Sequence, residues 1–384
     1  MGLRGTNQGL SRHHNRRIVL EFIREHGPAS RGDIAQHVGL TVQTVSSIVR
    51  ELEELGYLLP VREKPRGRGA PAQTLHLNPG GGHAIGIDVS PLGVSAALVN
   101  LAGEIVGHAT RPAANPSPET GFRLIRELLD EMRRFSPPAR LLGVGMAIPG
   151  PLDVEGMSFV GPTTLDGWSG IPLQEELAAV SGLAAFIEMD TAAAALGVRL
   201  HGKGHGHSEF YYLHIGAGLG GTMVHRGQPL SGAYGNAGEI GHVPVVADGL
   251  PCSCGNAGCL ERYVSLDGFH RRPEGQSEEG WAESVAPMFH RAITMIENLF
   301  DPETIILGGI APPSLIHALV AVTADLPPSV SARRGRRQPR VIAETDPHSV
   351  LRGAAATAIS GVLSPGAERE YHPDHDPLCD GVAA

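Results

Sequence analysis

Apolar positions follow a helical period in the first sixty residues and a strand period beyond residue 83. Ile18, Val19, Phe22 and Ile23 fall on one stripe, which predicts an amphipathic helix over 15–26, ended by Gly27-Pro28. Ser30 caps a second helix over about 31–38, with Asp33 at its positive end, and Gly39 offers the left-handed turn that stops it. Thr41 caps a third helix over about 42–55, whose Val45, Ile48, Val49, Leu52 and Leu55 face inward. Leu58–Val61 and Thr74–Leu77 read as two strands.

Ala35, Gly39 and Val45 have the spacing of a helix-turn-helix: a small residue where two helices cross, a turn, and an apolar lock. The outward face of the third helix then presents Thr41, Gln43, Thr44, Ser46, Ser47 and Arg50, donors and acceptors suited to base edges and phosphates. Between the two strands lies REKPRGRGAPAQ, a basic, glycine-rich tip that reads as a wing, with Arg66 and Arg68 placed to meet phosphates or the minor groove. A three-helix scaffold with a solvated basic loop is the plainer alternative; helix spacing, polar face and wing together favour DNA binding.

From His83 the pattern predicts strands at 84–89, 94–100 and 105–110, a helix at about 118–135 and a strand at 141–147. Alternation resumes with strand 185–188, helix 191–200, strands 210–215 and 219–225, helix 282–300, strand 304–307, helix 312–325, strand 340–343 and helix 349–362. A strand meander followed by alternating helices and strands indicates an α/β sheet protein. The loop 271–280 and the tail after about 364 are polar and aperiodic, so disorder is expected in both.

A length of 384 residues points to two or three domains, and 41% hydrophobic residues supply ample core. Apolar runs such as 141–149 are too short to span a bilayer, and Met1 to Arg17 lacks a secretory h-region, so a cytoplasmic protein without membrane partners is expected. The net charge of −9 hides an asymmetry: residues 1–80 carry 11 Arg and Lys against 7 Asp and Glu, the remainder 20 against 33. A basic segment on an acidic body fits a nucleic-acid-binding module joined to a domain with another task.

Four cysteines make no disulfide framework, and three of them, Cys252, Cys254 and Cys259, lie within eight positions. With His242 they provide one imidazole and three thiolates, the ligand set of a closed, structural Zn2+ site, one ion per chain. Gly255 and Gly258 let the chain curl so that the sulfurs converge. A disulfide is the competing reading, but the single residue between Cys252 and Cys254 would strain it. The second ring nitrogen of His242 remains free to face a ligand. His201, His205 and His207 are read as a solvent loop, His372, His375 and Cys379 as part of the loose tail, and Trp168 as core or cleft wall.

GNAGEIGH (235–242), CSCGNAGCLE (252–261) and a winged helix-turn-helix ahead of them resemble the ROK family of repressors, open reading frames and sugar kinases. Its xylose-repressor and N-acetylglucosamine-repressor branch is the most similar. AIPGPLD (147–153), LDGWSGIPL (165–173), HIGAGLGG (214–221) and IILGGI (305–310) match less specifically. The resemblance, covering about residues 12–362, implies a two-lobed actin-like (ribonuclease H-like) ATPase/sugar-kinase fold with a sugar in the cleft. It implies domains at 1–80 (winged helix), 83–188 with 347–363 (first lobe) and 189–346 (second lobe with the zinc loop), before the tail 364–384. By position, Glu239, His242 and Glu261 resemble the family's hexose ligands, and Asp190 the kinases' general base. These side chains could instead serve only the zinc loop, although carboxylates suit paired sugar hydroxyls.

Two departures weigh against phosphotransfer. The kinases open with Asp-x-Gly-Gly-Thr, whose backbone N–H groups and hydroxyl cradle phosphates. This chain has Asp88-Val89-Ser90-Pro91-Leu92, where Pro91 lacks an N–H and Leu92 replaces the hydroxyl. Where family kinases carry Asn-Asp-x-Asn, it has Met189-Asp190-Thr191-Ala192, which removes an amide from the sugar site. The expected protein is therefore not an enzyme. It is a sugar-responsive DNA-binding regulator, a repressor, acting as a homodimer or homotetramer on operator DNA. A ROK-type sugar kinase carrying a DNA-binding head is the alternative; a DNA-binding protein with an inert body is a third.

Overall fold

The computed structural model describes residues 11–62, 73–150, 165, 167–331, 338–365 and 378. Its N-terminal part packs α1 (Ser11–His26), α2 (Arg31–Val38) and α3 (Val42–Glu54) around Ile18, Phe22, Ile34, Val45, Ile48 and Leu52. Ser30 and Asp33 form a reciprocal capping box at the start of α2, and Gly39 ends it in the left-handed region with φ 68°. The antiparallel pair β1 (Leu58–Arg62) and β2 (Gln73–Leu77) follows, with Leu58 opposite Leu77 and Arg62 opposite Gln73. Three helices followed by a hairpin are the winged helix-turn-helix that the apolar spacing predicts. The wing tip, with Arg66 and Arg68, lies outside the described residues.

The helix α1 begins at Ser11, four residues earlier than expected, and two of its arginines form contacts that the sequence does not show. Arg17 is fully buried and donates to the carbonyl of Val362, and Arg16 pairs with Glu51 at 2.6 Å. Both contacts satisfy a cation that the sequence alone would leave in solvent.

The body opens with β3 (His83–Ser90), β4 (Gly93–Asn100) and β5 (Ile105–Pro112), then α4 (Pro118–Met132), β6 (Leu141–Ile148), α5 (Leu173–Ser181) and β7 (Ala185–Met189). Among the described residues these strands form one five-stranded sheet ordered β5-β4-β3-β6-β7; β3–β5 are antiparallel, and β6 and β7 run parallel to β3. Trp168 is buried in this lobe's core, its indole N–H on the Pro116 carbonyl.

After α6 (Asp190–His201), the strands β8 (Glu209–Ile215), β9 (Leu219–His225) and β10 (Gln228–Pro229) begin a second sheet. Then come α7 (Leu266–His270), α8 (Glu278–Phe300), β11 (Thr304–Gly309), α9 (Pro313–Ala321), β12 (Val341–Ala343) and α10 (Ser349–Leu363). The second sheet, ordered β10-β9-β8-β11-β12, packs its Leu213, Ile215, Ile305 and Leu307 against Phe289, Ile293 and Ile296 of α8.

α6 and α10 cross at the seam between the two sheets. A Cβ on Gly353 would stand 1.6 Å from the Ala193 carbonyl oxygen, and one on Gly197 2.1 Å from that of Ser349, so only glycine permits this approach. The other end of α10 enters the winged-helix core, where Leu351, Ala355, Ile359 and Val362 share one apolar cluster with Ile18, Val19 and Phe22.

Three expectations require correction. Residues 271–280 are ordered: Arg272 lies 3.7 Å over the Phe269 ring and donates to the carbonyls of Gln276 and Phe269, and α8 starts at Glu278 rather than 282. The tail 364–384 is not loose throughout. Ser364 donates to Glu21, and Leu378 is buried in the winged-helix cluster with its carbonyl taking a hydrogen bond from Arg16. Its remaining residues from 366 onward, including His372, His375 and Cys379, lie outside the described residues. Finally, His201 is turned inward against Gly103, and His207 bonds Glu303 at 2.8 Å, so neither belongs to a solvent loop.

Candidate functional site

On α3, Thr41 and Thr44 direct their hydroxyls at each other, 2.8 Å apart, and Thr41 also accepts the Thr44 N–H. Ser46 donates to the Val42 carbonyl at 2.7 Å. These three side chains serve the helix itself. Gln43, Ser47 and Arg50 stand exposed at intervals of four and three residues, one outward stripe. Val42, omitted by a reading that sorted apolar residues inward, is 55% exposed on the leading turn.

His242, Cys252, Cys254 and Cys259 bring one ligand atom each within 4.8 Å of one another. The short helical turn Ile240–His242 positions the imidazole, and the bridges of Pro244 with Cys259 and Pro251 with Ala257 fold the cysteine loop beneath it. Gly255 and Gly258 both adopt positive φ, as the curl requires. Cys252 Sγ lies 3.4 Å from His242 Nδ1, and Cys254 Sγ 3.6 Å from Cys259 Sγ. All three thiols are free. Burial works against the Cys254 thiolate, but hydrogen bonds from Asn256 and the neighbouring thiols hold its pKa below the ordinary thiol value. Burial pushes Cys259 up, and the adjacent sulfurs add to the rise. Three thiols and one imidazole converging without a counter-cation fit a soft divalent ion in tetrahedral geometry.

His242 Nε2 points the other way, 3.8 Å from Glu239 Oε2, into a cleft between the lobes. Asp88 at the end of β3, Asp190 at the start of α6, Glu239 and Glu261 line it, together with His214 and Gly216-Ala217-Gly218. Burial pushes Asp88 up to about 7. Asp190 also rises to about 7, through burial and then the nearby Asp88 charge, against the Thr191 N–H that it accepts at 2.6 Å. Burial likewise raises Glu239 and Glu261. Glu261 takes the Leu219 N–H on Oε2, while its buried Oε1 has no protein partner. The described lining includes no lysine or arginine. Four carboxylates held in a shared, desolvated space can accept hydroxyl donors and repel anions.

The sequence pointed to Asp190, Glu239, His242 and Glu261, and the fold brings them together. It placed Asp88 only at the head of the run matched to the kinases' phosphate turn, with no role toward a sugar; the clue was an acid within the otherwise apolar strand IGIDVS. His214 was passed over too, and burial lowers it to about 4, a neutral imidazole on the cleft floor. Met189 is buried, its Sδ 2.6 Å from where a Cβ on Gly150 would stand. At the loop after β3, the Leu92 N–H is already bonded to Ser90 Oγ at 3.3 Å, and Leu92 is 61% exposed.

The ROK family profile matches residues 84–360, and a winged helix-turn-helix DNA-binding profile matches residues 12–58. The chain belongs to the ROK family. This ROK protein is 25% identical over 339 residues to the xylose repressor of Bacillus subtilis (strain 168), covering 83% of this chain and 87% of that one. It is also 32% identical over 224 residues to a glucokinase of Halalkalibacterium halodurans, covering 56% of this chain and 67% of the enzyme. The crystal structure of a ROK family transcriptional regulator, a homologue of the E. coli MLC protein, superposes with a TM-score of 0.67 at 23% identity, covering 92% of this chain and 98% of that one. The body therefore has the ROK sugar-kinase-like, actin-related fold behind a winged helix-turn-helix head. Among the described residues, no helix is long and apolar enough to cross a membrane.

Proposed function

We propose that this ROK protein is a sugar-responsive transcriptional repressor that binds operator DNA through α3 and the wing and a carbohydrate effector in the interlobe cleft. One observation carries the reading: a helix-turn-helix with an outward polar stripe shares a continuous apolar core with the helix, α10, that crosses α6, and α6 begins at the cleft carboxylate Asp190. Xylose repressor relatives that align over 83% of this chain and 87% of their own length support it. The chain divides at 1–80, 83–188 with 347–363, and 189–346, with α6 and α10 between the lobes.

In this reading Gln43, Ser47, Arg50 and the wing residues Arg66 and Arg68 contact DNA, while Thr41, Thr44 and Ser46 set the helix that presents them. Asp190, Glu239, His242 and Glu261 take sugar hydroxyls, and the unpartnered Glu261 Oε1 is one such acceptor. One Zn2+ per chain, held by His242, Cys252, Cys254 and Cys259, is structural, since four protein ligands leave no open position. It would fix the His242 ring so that Nε2 faces the sugar. The free thiols suit a reducing cytoplasm. A homodimer or homotetramer would place two recognition helices on a pseudo-palindromic site.

The body does not act as a kinase in this account. Pro91 has no N–H, the Leu92 N–H is spent on Ser90, and no lysine or arginine lines the described cleft to meet a triphosphate. The glucokinase relative and the raised pKa of Asp190 in the cleft favour the second reading, a sugar kinase with a DNA-binding head. Purified full-length protein decides between them. A duplex enriched from a random pool should be released by at least one neutral pentose or hexose, with no turnover of ATP on any of them. Hexose-dependent ATP turnover abolished by Asp190→Asn would establish the kinase. Arg50→Ala should weaken duplex binding about tenfold or more while sugar binding persists.

A further inference from the structure

The α3 surface carries a base-reading residue beyond the polar stripe. We propose that Val42 packs its isopropyl group against the C5 methyl of a thymine in the operator's major groove; this rests on the DNA-binding reading above. A lone exposed valine elsewhere on a surface would need no explanation. Val42 differs by its place. The other valines, isoleucine and leucine of α3, at 45, 48, 49 and 52, are buried, whereas Val42 stands 55% exposed on the first turn. In helix-turn-helix proteins that first turn is the part of the recognition helix that meets base edges.

Three of the polar side chains near it already hold intramolecular bonds. Thr41 and Thr44 bond each other, and Ser46 bonds the Val42 carbonyl, so the first turn offers the groove mainly Val42 and Gln43. Thymine is the base with a methyl group in the major groove, and apolar side chains are its usual partners. Acidic repulsion is also reduced: Glu51 and Glu53 are paired with Arg16 and Arg31 at 2.6 and 3.2 Å. Water displaced from a valine and a methyl on contact gives the pair a favourable term that neither cytosine nor uracil provides.

The test uses the full-length protein and a duplex enriched from a random pool. Each thymine of the half-site is replaced in turn by deoxyuridine, which removes only the methyl group. One position should cost wild type about three- to tenfold in affinity. That penalty should vanish for Val42→Ala and largely persist for Val42→Thr, which retains one methyl. Both substitutions lie on an exposed first turn, and a thermal melt verifies folding. If wild type tolerates every deoxyuridine, or Val42→Ala keeps the same penalty, the assignment is overturned while the regulator reading survives. A changed oligomeric mass for Val42→Ala without a changed thymine preference would reassign this face to a protein contact and overturn it too. A pool that enriches no duplex would defeat the DNA-binding reading and this inference together.

Discussion

Asp88 and Asp190 line one cleft that disfavours their charges, and both are pushed up to about 7. A carboxyl whose pKa is raised on folding keeps its proton in the folded state while the unfolded chain has lost it. Stability is therefore greatest near and below the ordinary carboxylate range, declines as pH rises from about 4 to 7, and stays reduced above. Asp190→Asn removes a charge that the site holds at a cost, so its Tm should exceed that of wild type at pH 8 by a few degrees, roughly 3–6 °C. The difference should shrink toward zero at pH 4.5. An unchanged or lower Tm at pH 8 would show that Asp190 is charge-compensated in solution. At the other pole of the cleft, Cys259→Ser should lower bound zinc below one per chain by elemental analysis and weaken sugar binding through the loss of His242 and Glu261 positioning. Full sugar affinity without metal would detach the two sites.

Among the elements, the α6–α10 crossing is the tightest approach. Gly353→Val would force its side chain into the Ala193 carbonyl and should cost more than about 3 kcal/mol in denaturant unfolding, whereas Ala358→Gly, away from that crossing, should cost only about 1 kcal/mol. Most elements were legible from periodicity, because α1, α3 and α4 each bury one stripe, β6 is apolar throughout, and β3 and β4 are apolar along most of their length. Two kinds of feature were not. The inward arginine of α1, Arg17, reads as a solvent residue until α10 supplies a carbonyl some 345 positions away. Residues 271–280 look polar and aperiodic, yet Arg272 folds them over Phe269, a pairing that no period encodes. The cleft shows the same division. GNAGEIGH and the cysteine loop marked Glu239, His242 and Glu261 locally, whereas Asp88 and His214 become part of the site only when two sheets meet.

At the scale of the whole molecule, the winged helix is not tethered by a loose linker. Arg140 donates to the carbonyls of Leu55 and Gly81, tying head to lobe, and α1 lies in a core shared with α10. A shift of the lobes about the α6–α10 seam would therefore carry the head with it, and a rigid dimer would convert that shift into a changed spacing of its recognition helices. Arg17→Met keeps the apolar stem but loses the bond to Val362. It should leave DNA affinity within about threefold of wild type while reducing the sugar effect on it, if this contact transmits the lobe position. Coupling of this kind is reciprocal. The most direct measurement is a titration of the full-length protein in both directions, with an enriched duplex and the sugar of a neutral pentose and hexose panel that stabilises the protein most. Sugar should weaken DNA binding by some factor, about fivefold or more, and DNA should weaken sugar binding by the same factor. Sugar binding that leaves DNA affinity untouched would contradict the account.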